Sequence, residues 1–311
     1  MAQPQPTVTT TYAGEFAGEY ISAALFSGVT LDSNAITIKP NVKFKEVIKS
    51  FSKGSSIVDS TCEFTDTADI TLTEVILEPK AFQQNLIVCK EQFRNDWEAT
   101  QMGYSAFDNL PPKFSDFLIA HASAEVAEFM ETKIWTGAAG ANSFEGFTSL
   151  SAAAPAGNKI AAIAGGVNAG NVVAELTKVT NAIPTAVYGK EDLFIYVSQN
   201  IARHYITALG GFGAAGLGAA GYNNEGSQWY AQGSNLSING VKIFVTNGLG
   251  ANVMIAGQKS NFMFGTGLLN DTNTVKVIDM ADIDGSEQVR MVMRFTGGVQ
   301  IGVLADIVRY A

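Results

Sequence analysis

Histidine occurs only twice in the 311 residues, at His121 and His204, and cysteine only twice, at Cys62 and Cys89. Imidazole exchanges protons near neutrality and is the commonest metal ligand, so its scarcity narrows the routes to acid–base catalysis and to a zinc centre. Two thiols in a chain of this size do not build a disulfide framework, and in a reducing compartment they stay as packed thiols. Charge is scarce too: Asp, Glu, Lys and Arg make up 16% of the chain, against roughly a quarter in ordinary soluble proteins. The surface must then draw heavily on Gly, Ala, Ser, Thr and Asn, which suits burial against partners. The net charge is −9, and no Lys/Arg cluster of the kind that neutralises phosphates is present; the densest, KFKEVIK at 43–49, interleaves its lysines with apolar residues. No window approaches the roughly eighteen consecutive apolar residues of a membrane span. The opening MAQPQPTVTTTYAG has no basic region followed by an apolar run, so no secretory signal is read there. The expectation is a soluble protein made in a cytoplasm.

What is present is enough apolar sequence, 47% of residues, to bury a sizeable core in one large or two moderate domains. Residues 1–40 read as an arm, rich at first in Gln, Pro and Thr, with one short helix-like patch from Phe16 to Leu25. From Asn41 the pattern turns to β: VKFKEVIKSF, SIVDSTCEFT and DITLTEVILEP, broken at Lys53-Gly54-Ser55 and between Asp66 and Asp69, predict an elongated hairpin. A two-stranded ribbon is marginal alone in water, so this one should be held by something else, such as a neighbouring copy. The strongest helical signal follows Pro111-Pro112 and stops at Gly137. Ile119, Ala122, Val126, Phe129 and Met130 share one face of it, and His121, Glu125, Glu128 and Thr132 line the other. After the small-residue stretch 151–170, helical patterns are predicted over Val172–Ile183 and Asn200–Leu209, and strands in LFIYVSQ, VKIFVTNGL and ANVMIAG. Between them the run GGFGAAGLGAAGYNNEG reads as a flexible loop. EQVRMVMRFTGGVQIGVLADIVRYA reads as two β runs about a hairpin turn at Thr296-Gly297-Gly298. The class is α+β, with no internal repeat.

Motifs that carry chemistry are few. Gly211, Gly213 and Gly216 match a dinucleotide-binding spacing, but a helical pattern precedes them and no acidic residue follows about twenty positions on, so no cofactor is expected. His121 and Glu125, at i and i+4 on a polar face, lack a third metal ligand. Cys62 or Cys89 could pair with either histidine only outside any known nucleophile signature. Asp279, Asp282 and Asp284 hint at calcium but lack the closing bidentate Glu, so a turn with solvated carboxylates is expected. No catalytic, cofactor or metal residue is assigned. The subunit-interface candidates are Phe44, Val47, Phe51 and Lys53 on the ribbon and Gly211, Gly213 and Gly216 in the loop.

The order of arm, long ribbon, long helix, α/β subdomain and closing strands resembles the major capsid proteins of tailed bacteriophages with the Hong Kong 97-type fold. FQQNLIVCKEQFRNDWEATQMG and RFTGGVQIGVLADIVRY look like members from phages of Bacteroidetes-type hosts, and FEGFTSL is similar to the family's link into its axial subdomain. The resemblance implies an extended loop over about 41–92 with its flanking strands, a spine helix over about 112–136, a peripheral domain over 93–171 and 263–311, and an axial domain over 172–262. It implies hexamers and pentamers closing an icosahedral virion shell round double-stranded DNA, assembled in the bacterial cytoplasm. The partners it implies are a separate scaffolding protein, a portal protein and decoration proteins, with no membrane and no enzymatic step. Lys49 or Lys53 stands where some members cross-link, but no partner Asn or activating Glu is identified and no cross-link is expected. Other readings are an encapsulin-like nanocompartment shell, a tail-tube subunit, against which the long amphipathic helix argues, and a cysteine-dependent hydrolase.

Overall fold

The structure, a computed structural model, describes residues 28–53, 59, 62, 70–93, 112–209, 236–267 and 275–311. The helix-like patch at 16–25, the SIVDSTCEFT run apart from Asp59 and Cys62, and the glycine-rich loop lie outside the described residues.

Among the described residues, the strands form three sheets. The first is the ribbon, β2 (Glu46–Lys53) paired antiparallel with β3 (Ile70–Leu77), from Glu46 opposite Leu77 to Lys53 opposite Ile70. The second is five-stranded and centres on β12 (Gln288–Ile301), which pairs with β4 (Lys80–Cys89), β10 (Phe262–Gly265) and β11 (Val275–Asp279), while β1 (Thr37–Lys39) joins β10 in parallel. Val289, Met291, Met293 and Phe295 of β12 are buried in strict alternation, the period-two signature of a strand with one face on a core. The third has six strands in the order β5 (Lys159–Ile160), β13 (Val308–Tyr310), β9 (Met254–Gln258), β6 (Leu193–Ser198), β8 (Val241–Thr246), β7 (Ser237–Ile238). Its β5 and β13 come from outside 172–262.

The hairpin turn expected at Thr296-Gly297-Gly298 is not there: β12 runs straight through it, with Thr296 opposite Ala81 and Gly297 opposite Lys80. The reason is close approach. A Cβ on Gly298 would stand 2.8 Å from the Glu78 carbonyl oxygen and 2.9 Å from the Pro79 Cα, and one on Gly297 would collide with the Met130 methyl. These glycines let the root of the ribbon and the long helix press against the strand, a use of glycine that looks like a turn in sequence.

The long helix is as expected, α3 (Pro112–Thr136), 25 residues and so about 37 Å long. It follows α1 (Val29–Asp32) and α2 (Lys90–Phe93), and α4 (Phe147–Leu150) packs beside its C-terminal end. Ala122 and Met130 are buried and Val126 and Phe129 half-buried, whereas His121 and Glu125 are exposed. Glu128 and Thr132, read as polar-face residues, are half-buried. The six-stranded sheet is covered by α5 (Val172–Ala182) and α6 (Gln199–Leu209), whose Leu176, Val179, Ile201 and Tyr205 pack on Ile195, Val197 and Met254. A second core joins α3 to the five-stranded sheet through Ile134, Trp135, Phe147, Phe262 and Phe295. Tyr196 belongs to this second core from the far side of the six-stranded sheet, and donates its phenol proton to the Ala35 carbonyl at 2.8 Å. Residues 28–40, the end of the expected arm, are therefore built into the body. Among the described residues no helix is long and apolar enough to cross a membrane.

Candidate assembly surface

The ribbon's register separates its two faces. On one, Glu46, Ile48 and Ser50 lie opposite Leu77, Val75 and Thr73. Leu77 is fully buried, and Ser50 and Thr73 share a cross-strand hydrogen bond of 2.6 Å. On the other, Val47 stands opposite Ile76 and Lys49 opposite Glu74, with Leu72 next along β3. Here the exposure is unusual: Val47 is 45% exposed, Leu72 57% and Ile76 50%, and Phe44, just before the ribbon, is 73% exposed. Scattered surface apolar residues are ordinary, whereas these form an aligned row on one face of a two-stranded element.

The root of the ribbon is fixed to the body. Lys39 of β1 pairs with Glu46, and Lys45 with Glu78 at 3.1 Å where the two strands leave the body, while Lys49 and Glu74, at 3.5 Å, pair within the ribbon itself. Gln300 of β12 donates to the Ile76 carbonyl at 2.8 Å. Exposed pairs like these contribute about 0–1 kcal/mol each, so they orient the ribbon more than they stabilise it. Of the interface candidates, Phe44 and Val47 are exposed. The backbone of β2 places Phe51 opposite Leu72 and Lys53 opposite Ile70. Gly211, Gly213 and Gly216 lie outside the described residues.

The positions considered for chemistry are spread apart. Cys62 is exposed, and Cys89 ends β4 opposite Gln288. His121 is on α3 and His204 on α6, a helix of the other sheet. Among the described residues no group of His, Cys, Asp and Glu is arranged to hold a metal. The aspartates expected to be solvated are not all so. Asp279 binds Lys90, 1% exposed, at 2.5 Å, tying the ends of β11 and β4 together. Asp284 accepts from the Ser286 amide at 2.9 Å.

One polar constellation was not foreseen from the sequence. Glu131 of α3 is 1% exposed and accepts from the Thr30 amide (3.1 Å), the Thr30 hydroxyl (2.6 Å) and the backbone amides of Asn247 and Gly248. Trp135 donates its indole proton to the Thr30 oxygen at 2.8 Å. A Cβ on Gly248 would fall 2.1 Å from the Glu131 carbonyl oxygen, so only glycine lets that loop approach. The N-terminal segment, the long helix and the loop after β8 meet at this carboxylate. The signal was there: Ala127, Glu131 and Trp135 stand at i, i+4 and i+8, an acid inside an apolar stripe.

Burial pushes the Glu131 carboxyl above the ordinary carboxylate range, and the four neutral donors only partly offset this. The folded protein therefore binds this proton more tightly than the unfolded chain does. Between the ordinary value and the raised one, stability falls as pH rises. The wild-type urea midpoint is expected to drop across that window, and Glu131→Gln to flatten this part of the profile. Parallel profiles of the two proteins would refute the assignment.

No protein-family model matches the sequence, and no curated protein is similar to it in sequence. Solved structures are similar in fold. One is the capsid of a native GTA particle, 14% identical, with a TM-score of 0.65 over 95% of this chain and 93% of that one. Another is from Mycobacterium phage Adephagia, 14% identical, TM-score 0.61, over 95% and 94%. A third is the capsid structure of the cyanophage P-SCSP1u, 14% identical, TM-score 0.57, over 96% and 92%. With its ribbon, long helix and two-sheet body aligned over nearly the whole chain, the protein has the α+β fold of the Hong Kong 97 type.

Proposed function

We propose that the protein is the subunit of a tailed-phage capsid, a structural protein without catalytic activity that assembles with copies of itself. The exposed apolar row on the ribbon, Val47, Leu72 and Ile76 with Phe44 beside it, carries the reading. A monomer gains nothing from leaving those side chains in water, whereas a copy laid against them buries them. The fold shared with capsid structures over 95% of the chain supports the same reading. Copies form hexamers and pentamers that close an icosahedral shell round double-stranded DNA in the virion. Assembly takes place in the host cytoplasm with a separate scaffolding protein, a portal and decoration proteins. The segments at 82–103 and 294–310 resemble members from phages of Bacteroidetes-type hosts. The acidic net charge of −9 suits a container whose wall does not hold its polyanionic content tightly.

Electron microscopy of the purified protein, alone and co-expressed with the scaffold encoded beside it, tests this. Closed shells or capsomer rings are the expected result, and a strictly monomeric protein under both conditions would sink it. Shells that carry an enzyme and no DNA when isolated from their native source would instead favour a nanocompartment.

A further inference from the structure

Both legs of the ribbon are fastened to the same corner of the five-stranded sheet. The incoming leg leaves β1 at Lys39, opposite Gly265, and bends at Asn41, whose φ of 65° lies in the left-handed region that asparagine tolerates. On either side of that bend it is bonded to a single residue. The Thr266 amide donates to the Lys39 carbonyl at 3.1 Å, and the Val42 amide donates to the Thr266 carbonyl at 2.9 Å. Thr266 is itself buried, its hydroxyl donating to the Thr296 carbonyl at 3.3 Å, and the Thr296 hydroxyl accepts from the Gly267 amide at 2.7 Å.

The outgoing leg, Leu77 to Pro79, runs over glycine. Gly265 and Gly298 face each other in the register of β10 and β12. A Cβ on Gly265 would stand 2.9 Å from Leu77 Cδ2 and 3.2 Å from Pro79 Cγ, and one on Gly298 would stand 2.9 Å from Pro79 Cα. Side by side, the two glycines make a shallow seat that a side chain on either would fill. Leu77 sits in it fully buried, although Leu72 and Ile76 of the same strand are largely in water. Just past the seat the Gln300 side-chain amide donates to the Ile76 carbonyl at 2.8 Å, while its own carbonyl oxygen accepts from the Ile301 amide at 3.0 Å. Lys45 and Glu78 join one leg to the other at 3.1 Å.

A ribbon joined to its body by two bare strands would swing about them, and this one is gripped along both. We propose that Gly265–Thr266 and Gly298–Gln300 form a mount that sets the angle at which the ribbon leaves the body, so that the row of Phe44, Val47, Leu72 and Ile76 is held in one orientation in the free subunit. A surface already in place gives up less freedom when a partner docks on it. The mount is a property of the single chain, and it stands independently of what covers the row.

Spin-label distances in the unassembled subunit test it. In a Cys62→Ser, Cys89→Ser background, labels at Thr71→Cys on the ribbon and Asn85→Cys on β4 report the angle, and labels at Asn85→Cys and Lys190→Cys report the body; all three positions are exposed. An excess of unlabelled protein keeps the readings within one chain. With the mount intact, one narrow ribbon–body distance is expected. In Gly298→Ala the leg must rise until its 2.9 Å approach relaxes to an ordinary 3.4 Å. The ribbon, about 26 Å long at about 3.3 Å per residue, magnifies that rise to a shift of about 2–4 Å at Thr71. Gln300→Ala puts no new atom in the seat and is expected to broaden the same distance, with the body distance unchanged in both variants. A broad ribbon–body distance with the mount intact would overturn the proposal. So would Gly298→Ala with both distances unchanged; should that variant disturb the body distance, an unchanged ribbon–body distance in Gln300→Ala would overturn it instead.

Discussion

With Val47, Leu72 and Ile76 replaced together by serine, the protein is expected to fold as before and to stop assembling. Burying a Val, Leu or Ile side chain fully is worth about 1.5–3 kcal/mol, and these three are roughly half exposed in the single chain. Docking therefore recovers about 1 kcal/mol from each. Losing about 3 kcal/mol from one contact weakens it by a factor of roughly a hundred. Every subunit of a closed shell makes such contacts several times, so the concentration needed for assembly moves out of reach. Sedimentation velocity and electron microscopy read the loss of particles. An unchanged urea transition shows that the fold survives, as expected for side chains already in water. Normal particles from the triple variant would remove the ribbon from the assembly surface. Exchanging the charges of Lys49 and Glu74 is the matched control, since an exposed pair at 3.5 Å contributes about 0–1 kcal/mol.

The largest loss of stability is expected at Trp135. Its side chain is fully buried, lies 5.4 Å from the Phe147 ring and 5.0 Å from the Tyr196 ring between centroids, and donates to Thr30. It touches both sides of the molecule at once: α4 on its own layer and, through Tyr196, the six-stranded sheet. Trp135→Ala should cost about 3–5 kcal/mol by lost transfer and by the cavity left behind. Trp135→Phe keeps most of the ring but leaves the Thr30 oxygen without its indole donor, a loss of about 1–3 kcal/mol. Urea denaturation of the two variants measures both, and an alanine variant within about 1 kcal/mol of wild type would contradict the packing described.

Much of this architecture was readable from periodicity. The helix ending at Gly137 and the strands LFIYVSQ and VKIFVTNGL have long, regular patterns, and they form where expected because local preference and burial agree. The ribbon was readable for the same reason, whereas the exposure of Leu72 and Ile76 beside Val47 follows from the register and was not read from the sequence. Gly297 and Gly298 misled because a glycine pair is the same signal whether the chain turns or another segment presses against it. Glu131 was missed because its partners, Thr30 and the 247–248 backbone, are brought to it only by the tertiary fold. The same is true of Lys90 and Asp279, which are far apart in sequence and adjacent in space.

The register of the sheets also has a kinetic side. The ribbon closes from residues near one another in the chain, Lys53 with Ile70 outward to Glu46 with Leu77. The body has the short hairpins β7–β8 and β11–β12, but its sheets close through distant pairs: Thr37 with Met263, Cys89 with Gln288, Tyr310 with Ile160. Local pairings form quickly, whereas sheets built from remote segments are slow. A newly made chain can therefore sample the ribbon pairing before its body closes, and its apolar side chains are then open to contact with unfinished copies. Slowing synthesis or supplying a chaperone should raise the yield of competent subunits, and the serine ribbon should lessen that dependence.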